Sequence, residues 1–290
     1  MYNSIKNTGE YNMLKKKSFK VVLLVLFLLV IATLSIVFVP DFFDTIDNSF
    51  SIMSHTDKAP KLVAHRGLSS VYPQNTIPAF EGAIEYGFDG MECDIHTTKD
   101  GKWVIIHDET VEKMTDGEGA VADMTSEQIQ SLNIDYGNGI ENYKELKMPT
   151  FEEYLSLCEK HDIIPVIELK NCDEKYLPDL KEMIDSCKFI KEPVLISFNR
   201  DYLDAYREMD GEINMMLLAT TPTKEDVQWC IDNNAGLNFN FASLIKCIGA
   251  VGMARENGVT LAAWTVDSPV YEDVMVLFGV EYITTNKLLP

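Results

Sequence analysis

An α/β fold, a (β/α)8 TIM barrel carrying a small insertion and preceded by one transmembrane helix, is predicted by three features of this 290-residue chain. Apolar, β-branched runs alternate with amphipathic helical stretches from Lys61 onward. Eight such runs remain once one is set aside as a hairpin return strand, and eight is the number that closes this barrel. Ahead of them lie nineteen residues without a charge, Val21 to Val39.

Residues 1–20 read as a cytoplasmic tail, 21–39 as the transmembrane helix, 40–60 as a polar linker and 61–290 as the barrel domain. A helix of nineteen residues rises about 28 Å, close to the thickness of a bilayer core. Only Thr33 and Ser35 interrupt its apolar surface, whereas a soluble helix of that length carries a polar face. Lys15, Lys16, Lys17 and Lys20 precede it, and Asp41, Asp44 and Asp47 follow Pro40. That asymmetry predicts a single-pass protein of the cell membrane, with its large domain on the extracytoplasmic side. A cleavable signal peptide fits less well, because Val37-Phe38-Val39-Pro40 offers no pair of small residues for cleavage.

Strands are predicted at 62–64, 90–95, 103–107, 163–169, 194–198, 213–219, 236–240, 260–266 and 280–284. Between the second and third lies only Thr97 to Lys102, with the turn dipeptide Asp100-Gly101. That is too short for a parallel crossover, so 103–107 is the return strand. Thr76 or Asn75 caps a helix running to Tyr86, with Pro78 tolerated in its first turn. Thr150 and Glu153 form a capping box that opens a helix to about Lys160. Further helices are expected near 176–187, 200–209, 224–233, 242–257 and 269–278. Residues 108–149 are long for a loop and read as the insertion, with a short helix at Ser126–Leu132. An open doubly wound sheet is the alternative, but no glycine-rich dinucleotide fingerprint follows the first strand.

The formal net charge is −20. Residues 1–40 carry five lysines against Glu10, a net of +4, so the remainder carries −24. Such a body argues against nucleic acid as a partner, since that binding depends on cations neutralising phosphates. A small anion can still bind where a local cationic pocket and a metal outweigh the surrounding field. Cys93, Cys158, Cys172, Cys187, Cys230 and Cys247 are scattered singly, which excludes a CxxC zinc or redox site and suits small buried hydrophobes.

The chemistry gathers where predicted strands end. Glu92 and Asp94 are two apart on one strand, and Glu168 and Lys170 on the next, so each pair points to one face. Carboxylates converging there repel unless a cation sits among them, and one divalent ion with oxygen ligands, Ca2+ or Mg2+, is the natural partner. His65 follows the first strand, and His107 ends the return strand that leads back towards Glu92. One histidine can take a proton and the other give one, either in either part. Arg66 can hold phosphate oxygens bidentately and Lys170 can add a point charge. Asp108 either orients His107 or helps the metal, while Phe198 and Trp264 are candidate pocket walls. His96 and His161 read as structural residues. A metal site, an acid, a base and two cations are what cutting a phosphodiester requires.

The stretches Ala64-His65-Arg66-Gly67, Gln74-Asn75-Thr76, Ala79-Phe80, Glu92-Cys93-Asp94-Ile95, Thr98-Lys99-Asp100-Gly101, His107-Asp108, Ile167-Glu168-Leu169-Lys170 and Trp264-Thr265-Val266 together resemble the glycerophosphodiester phosphodiesterase family. The resemblance covers about residues 61–290, and the family is similar in fold to the phosphatidylinositol phospholipase C barrels. It implies a metal-dependent enzyme that hydrolyses small-molecule glycerophosphodiesters to glycerol 3-phosphate and an alcohol. It further implies Glu92, Asp94 and Glu168 as metal ligands, His65 and His107 as the acid–base pair, and Arg66 and Lys170 on the phosphate. Gln74 and Asn75 would lie at the pocket. Two departures stand out: Gln74 replaces the family's usual glutamate, and Ile283-Thr284-Thr285-Asn286 lacks its common aspartate. Two other functions stay open, a lysophospholipase D-type lipid phosphodiesterase and a catalytically weak domain that binds glycerophosphate groups.

Overall fold

The computed structural model describes residues 59–288. Within them the strands are β1 (Lys61–Ala64), β2 (Gly90–Thr97), β3 (Trp103–Ile105), β4 (Ile164–Asn171), β5 (Val194–Ser197), β6 (Asn214–Ala219), β7 (Gly236–Asn240), β8 (Leu261–Trp264) and β9 (Tyr282–Thr285). All except β3 pair in parallel, and β1 pairs with both β2 and β9, which closes an eight-stranded barrel. The helices are α1 (Ile77–Glu85), α2 (Ser126–Ser131), α3 (Phe151–His161), α4 (Leu177–Asp185), α5 (Arg200–Met209), α6 (Lys224–Asp232), α7 (Leu244–Glu256) and α8 (Pro269–Leu277). The predicted transmembrane helix at 21–39, with its tail and most of its linker, lies outside the described residues. Among the described residues no helix is long and apolar enough to cross a membrane.

Local chemistry explains the boundaries. Thr76 caps α1 by accepting the Ala79 amide, and Pro78 falls in the first turn, where its missing N–H costs nothing. Thr150 and Glu153 form the expected capping box on α3. The return strand is real but shorter than 103–107. β3 pairs antiparallel with the end of β2, Ile95 opposite Ile105, and ends at Ile105. The Ile106 amide still donates to the Asp94 carbonyl at 3.0 Å, but His107 has left the strand. The insertion holds its own small core, in which Val104, Ile106, Val111, Ile129 and Met148 pack together. α7 is interrupted at Cys247, whose backbone is not helical. All six cysteines are free, and all but Cys187 are buried.

One hydroxyl ties a helix to the strands that carry the carboxylates. Tyr154 of α3 is fully buried. Its hydroxyl donates to the Met91 carbonyl of β2 at 2.7 Å and accepts the Val166 amide of β4 at 3.1 Å. Pro165, opposite Met91 in the register, has no N–H to offer. The tyrosine thus bridges the two strands one residue before Glu92 and two before Glu168. Tyr154→Phe leaves buried backbone groups with no hydroxyl to pair with, and is expected to cost about 1–3 kcal/mol in urea unfolding. An unchanged midpoint would contradict this reading.

Candidate active site

Side chains alternate along a strand, and here the alternation sorts them sharply. Cys93 and Ile95 of β2 pack with Ile167 and Leu169 of β4 in the core under the helices. Glu92, Asp94 and Glu168 therefore face the barrel interior, with Asp94 directly opposite Glu168. All three are buried, and one oxygen from each lies within 4.8 Å of the others. Burial, with Asp94 and Glu168 beside it, raises the Glu92 carboxyl well above the carboxylate range. Glu168 is pushed up to about 7 by burial and by Asp94. Burial opposes the ionisation of Asp94 as well, but Arg66, His107, Lys170 and the Asn75 amide outweigh it and hold that group low. Glu92 Oε1 and Asp94 Oδ1 are buried oxygens without a hydrogen-bond partner. An all-oxygen set with two unused lone-pair positions fits a hard divalent cation.

The turn after β1 brings the cations. Arg66 takes a left-handed backbone, φ 58°, unusual for a residue with a side chain. Gly67 follows at φ 73°, where a Cβ would lie 2.5 Å from the Ala79 carbonyl carbon of α1. That close approach demands glycine. In this turn the Arg66 amide donates to Glu92 Oε2 at 2.8 Å. Its Nε lies 3.1 Å from Asp94 Oδ2, and its Nη1 donates to Gln74 Oε1 at 2.8 Å. None of these contacts uses Nη2. Lys170 donates to Glu168 Oε1 at 2.9 Å and lies 3.7 Å from Asp94 Oδ1. The lysine expected on the phosphate is thus held among the carboxylates. Those two carboxylates outweigh burial and keep its ammonium charged.

Both histidines reach this pocket. Burial, and then Arg66, lowers His65 to about 4, so its imidazole is neutral near pH 7. Its Nδ1 lies 2.7 Å from Asn286 Oδ1. His107 is also lowered by burial, but its Nδ1 sits 2.6 Å from the Asp108 carboxylate, which Lys113 pairs at 3.1 Å. Asp108 thus orients His107 and does not join the carboxylate trio. Asn75 donates to Asp94 Oδ2 at 2.8 Å and is itself buried. Phe198 and Trp264 meet edge-to-face at 5.7 Å, and Phe198 lines an open cleft with Glu168, Lys170, Ser197 and Asn199.

Several supporting residues were not among the expected site residues. His96, read as structural, is buried with its Nε2 3.2 Å from the His107 carbonyl, so it steadies the segment carrying that imidazole. Asn286 is the position of the second departure, yet its contact to His65 spans 221 residues and needed barrel closure to be seen. Asp267 and Ser69, both bonded to Asn286, gave no signal beyond their polarity. The described residues include His161, which stays outside the site at the end of α3.

Residues 65–289 match the model of the glycerophosphoryl diester phosphodiesterase family. The chain belongs to that family. Its members include the glycerophosphodiester phosphodiesterase of Caldanaerobacter subterraneus subsp. tengcongensis, 34% identical over 233 residues that span 78% of this chain and 93% of that protein. Human glycerophosphodiester phosphodiesterase 1 is 33% identical over 153 residues, 52% of this chain and 46% of the human one. A solved phosphodiesterase from Oleispira antarctica, in complex with sn-glycerol-3-phosphate, shares the fold at TM-score 0.73 and 20% identity, over 82% of this chain and 95% of that one. A glycerophosphodiester phosphodiesterase from Parabacteroides distasonis aligns at TM-score 0.67 with 26% identity, over 79% and 94% of the two chains. The present family member is accordingly an enzyme, a phosphoric diester hydrolase.

In this phosphodiesterase the carboxylate trio sets a pH dependence of folding. Glu168 titrates at about 7 when folded, above the usual glutamate value near 4.3 in an unfolded chain. Between those values the metal-free folded state holds more protons than the unfolded one. The stability tied to protonated Glu168 is full below about pH 4 and is lost as pH rises through about 7. In EDTA, the parent Tm should therefore fall more steeply from about pH 5 to about pH 8 than that of Glu168→Gln. Equal slopes would refute this account of the cluster.

Proposed function

We propose that this phosphodiesterase hydrolyses glycerophosphodiesters to glycerol 3-phosphate and an alcohol, using one Ca2+ or Mg2+ and a pair of histidines. The observation that carries the reading is the buried oxygen trio of Glu92, Asp94 and Glu168, two of whose oxygens accept no hydrogen bond, with His65 and His107 near enough to feel the charge of Asp94. When bound there, the cation supplies Lewis acidity to the phosphoryl group and neutralises the three carboxylates.

The remaining work belongs to the side chains. Arg66 offers its Nη2 to a non-bridging phosphate oxygen, while Asp94 and Gln74 hold the guanidinium in place. Lys170, anchored on Glu168, adds positive charge where the phosphorane oxygens gain negative charge. His65 is the neutral imidazole and has an amide beside it, which suits it to accept the proton of a water, giving glycerol 3-phosphate directly, or of the neighbouring glycerol hydroxyl, giving a cyclic phosphate that a water then opens. His107 has the Asp108 carboxylate beside it, which stabilises an imidazolium once an anionic phosphate arrives. That suits it to protonate the leaving alkoxide. Gln74 touches Arg66 and not the trio, so the family departure at this position leaves the metal ligands intact.

The nineteen uncharged residues at 21–39 behind four lysines support a single-pass anchor in the cell membrane, with the barrel domain at 61–290 outside the cytoplasm. Phe198, half exposed against Trp264 beside the cleft, favours an apolar contact next to the phosphate. A lysophospholipase D-type lipid is the substrate that would use it, and a side-by-side assay of lysophosphatidylcholine and glycerophosphocholine separates the two.

Full-length protein should release glycerol 3-phosphate from glycerophosphocholine, and EDTA should stop it until Ca2+ or Mg2+ is restored. His65→Ala and Glu92→Ala should each lower turnover by about 10²–10⁴-fold. Variants that hydrolyse as fast as the parent would show that the site lies elsewhere.

A further inference from the structure

Asn286 does more than touch His65. It follows β9, and the Asp267 segment follows β8, so the barrel brings the two together. Asp267 Oδ2 accepts from Asn286 Nδ2 at 2.7 Å. Asp267 Oδ1 accepts from the Asn286 backbone amide at 2.8 Å and from Thr285 Oγ1 at 3.0 Å. An ionised carboxylate can only accept, so the atom that Asn286 turns towards Asp267 must be its NH2 group. The amide oxygen is then left facing the other way. It takes the Ser69 hydroxyl at 3.1 Å and stands 2.7 Å from His65 Nδ1.

An amide oxygen cannot donate. His65 Nδ1 must therefore carry the proton, and in a neutral imidazole the lone pair is then on Nε2. We infer that Asp267 and Asn286 are positioning residues of this phosphodiesterase: Asp267 fixes which way the Asn286 amide points, and the amide fixes the tautomer of His65 that leaves Nε2 free to accept a proton. The direction of a single side-chain amide thus decides whether the first histidine can act as a base.

The arrangement has a specific failure mode. In Asp267→Asn the new amide can still accept from Thr285 Oγ1 and the Asn286 backbone through its oxygen. Its NH2 group then faces Asn286, which relieves the constraint and favours a flip of Asn286. The flipped amide presents a donor to His65 Nδ1, so the proton moves to Nε2 and the base is lost. Exchanging the pair, Asn286→Asp with Asp267→Asn, restores an acceptor-only group beside His65 and a donor behind it. The exchange should return the original tautomer. A role in packing alone predicts no change in where the proton sits.

The test uses full-length protein with 15N-labelled imidazoles and reads which His65 nitrogen bears the proton, alongside kcat and KM on glycerophosphocholine. The parent should be protonated at Nδ1. Asp267→Asn should shift the proton to Nε2 and lower kcat on the order of 10²-fold with KM little changed. The exchange should restore the Nδ1 proton, read above the pH at which the new carboxylate beside His65 would leave the ring doubly protonated. Because this inference rests on the phosphodiesterase reading, the ring spectrum matters: it needs no turnover, so an inactive parent with Nδ1 protonated would fault that reading and still support this one. A parent protonated at Nε2, an Asp267→Asn protein with unaltered tautomer and kcat, or an exchange still protonated at Nε2 alone would each overturn it.

Discussion

Three carboxylates on two neighbouring strands of a closed barrel, buried and within 4.8 Å of one another, form a charge concentration that the protein alone does not balance. Two cations answer it from the inside. Arg66 and Lys170 hold Asp94 ionised, while Glu92 and Glu168 are pushed towards their neutral forms. That split is what a low-dielectric pocket does to like charges when no further positive charge is present. A divalent ion would let all three ionise. The rest of the site is arranged around this imbalance, with His65 and His107 near enough to feel the charge of Asp94 and Arg66 anchored on Asp94 and Gln74.

The fold makes such a cluster tolerable by spreading its supports over distant parts of the chain. The β2–β4 register places Asp94 opposite Glu168, and the Tyr154 hydroxyl braces those strands just below. The left-handed turn at Arg66 costs backbone strain, which is offset by the amide's bond to Glu92, the ion pair with Asp94 and the close packing of Gly67 on α1. His107 arrives by a different route, on a hairpin that leaves the barrel wall and leads into the insertion. Its imidazole is steadied by Asp108 at one nitrogen, and its backbone by His96. The two histidines therefore have unlike partners, an amide for His65 and a carboxylate for His107.

The parallel strands, the hairpin return and the capped helices could be read from the sequence because each rests on local chemistry: period-two alternation, an Asp-Gly turn, a Thr-x-x-Glu box. The carboxylate trio was legible for the same reason, since residues two apart on a strand share a face. What the sequence could not show was how a side chain spends its donors. Lys170 pairs with Glu168, Gln74 holds Arg66, and Tyr154 enters the gap between strands; each depends on which hydrogen bonds win in three dimensions. The bond between His65 and Asn286 is the clearest case, because β1 and β9 become neighbours only when the barrel closes. The return strand was read two residues too long because Ile106 keeps one ladder bond to Asp94 after the strand has ended.

The most direct measurement is a crystal grown with Mn2+ or Ca2+ and examined for anomalous scattering. One strong peak should appear with oxygens of Glu92, Asp94 and Glu168 at about 2.0–2.6 Å from it. A metal peak away from this trio, or none at millimolar ion, would contradict the claim that these carboxylates were gathered to hold a cation.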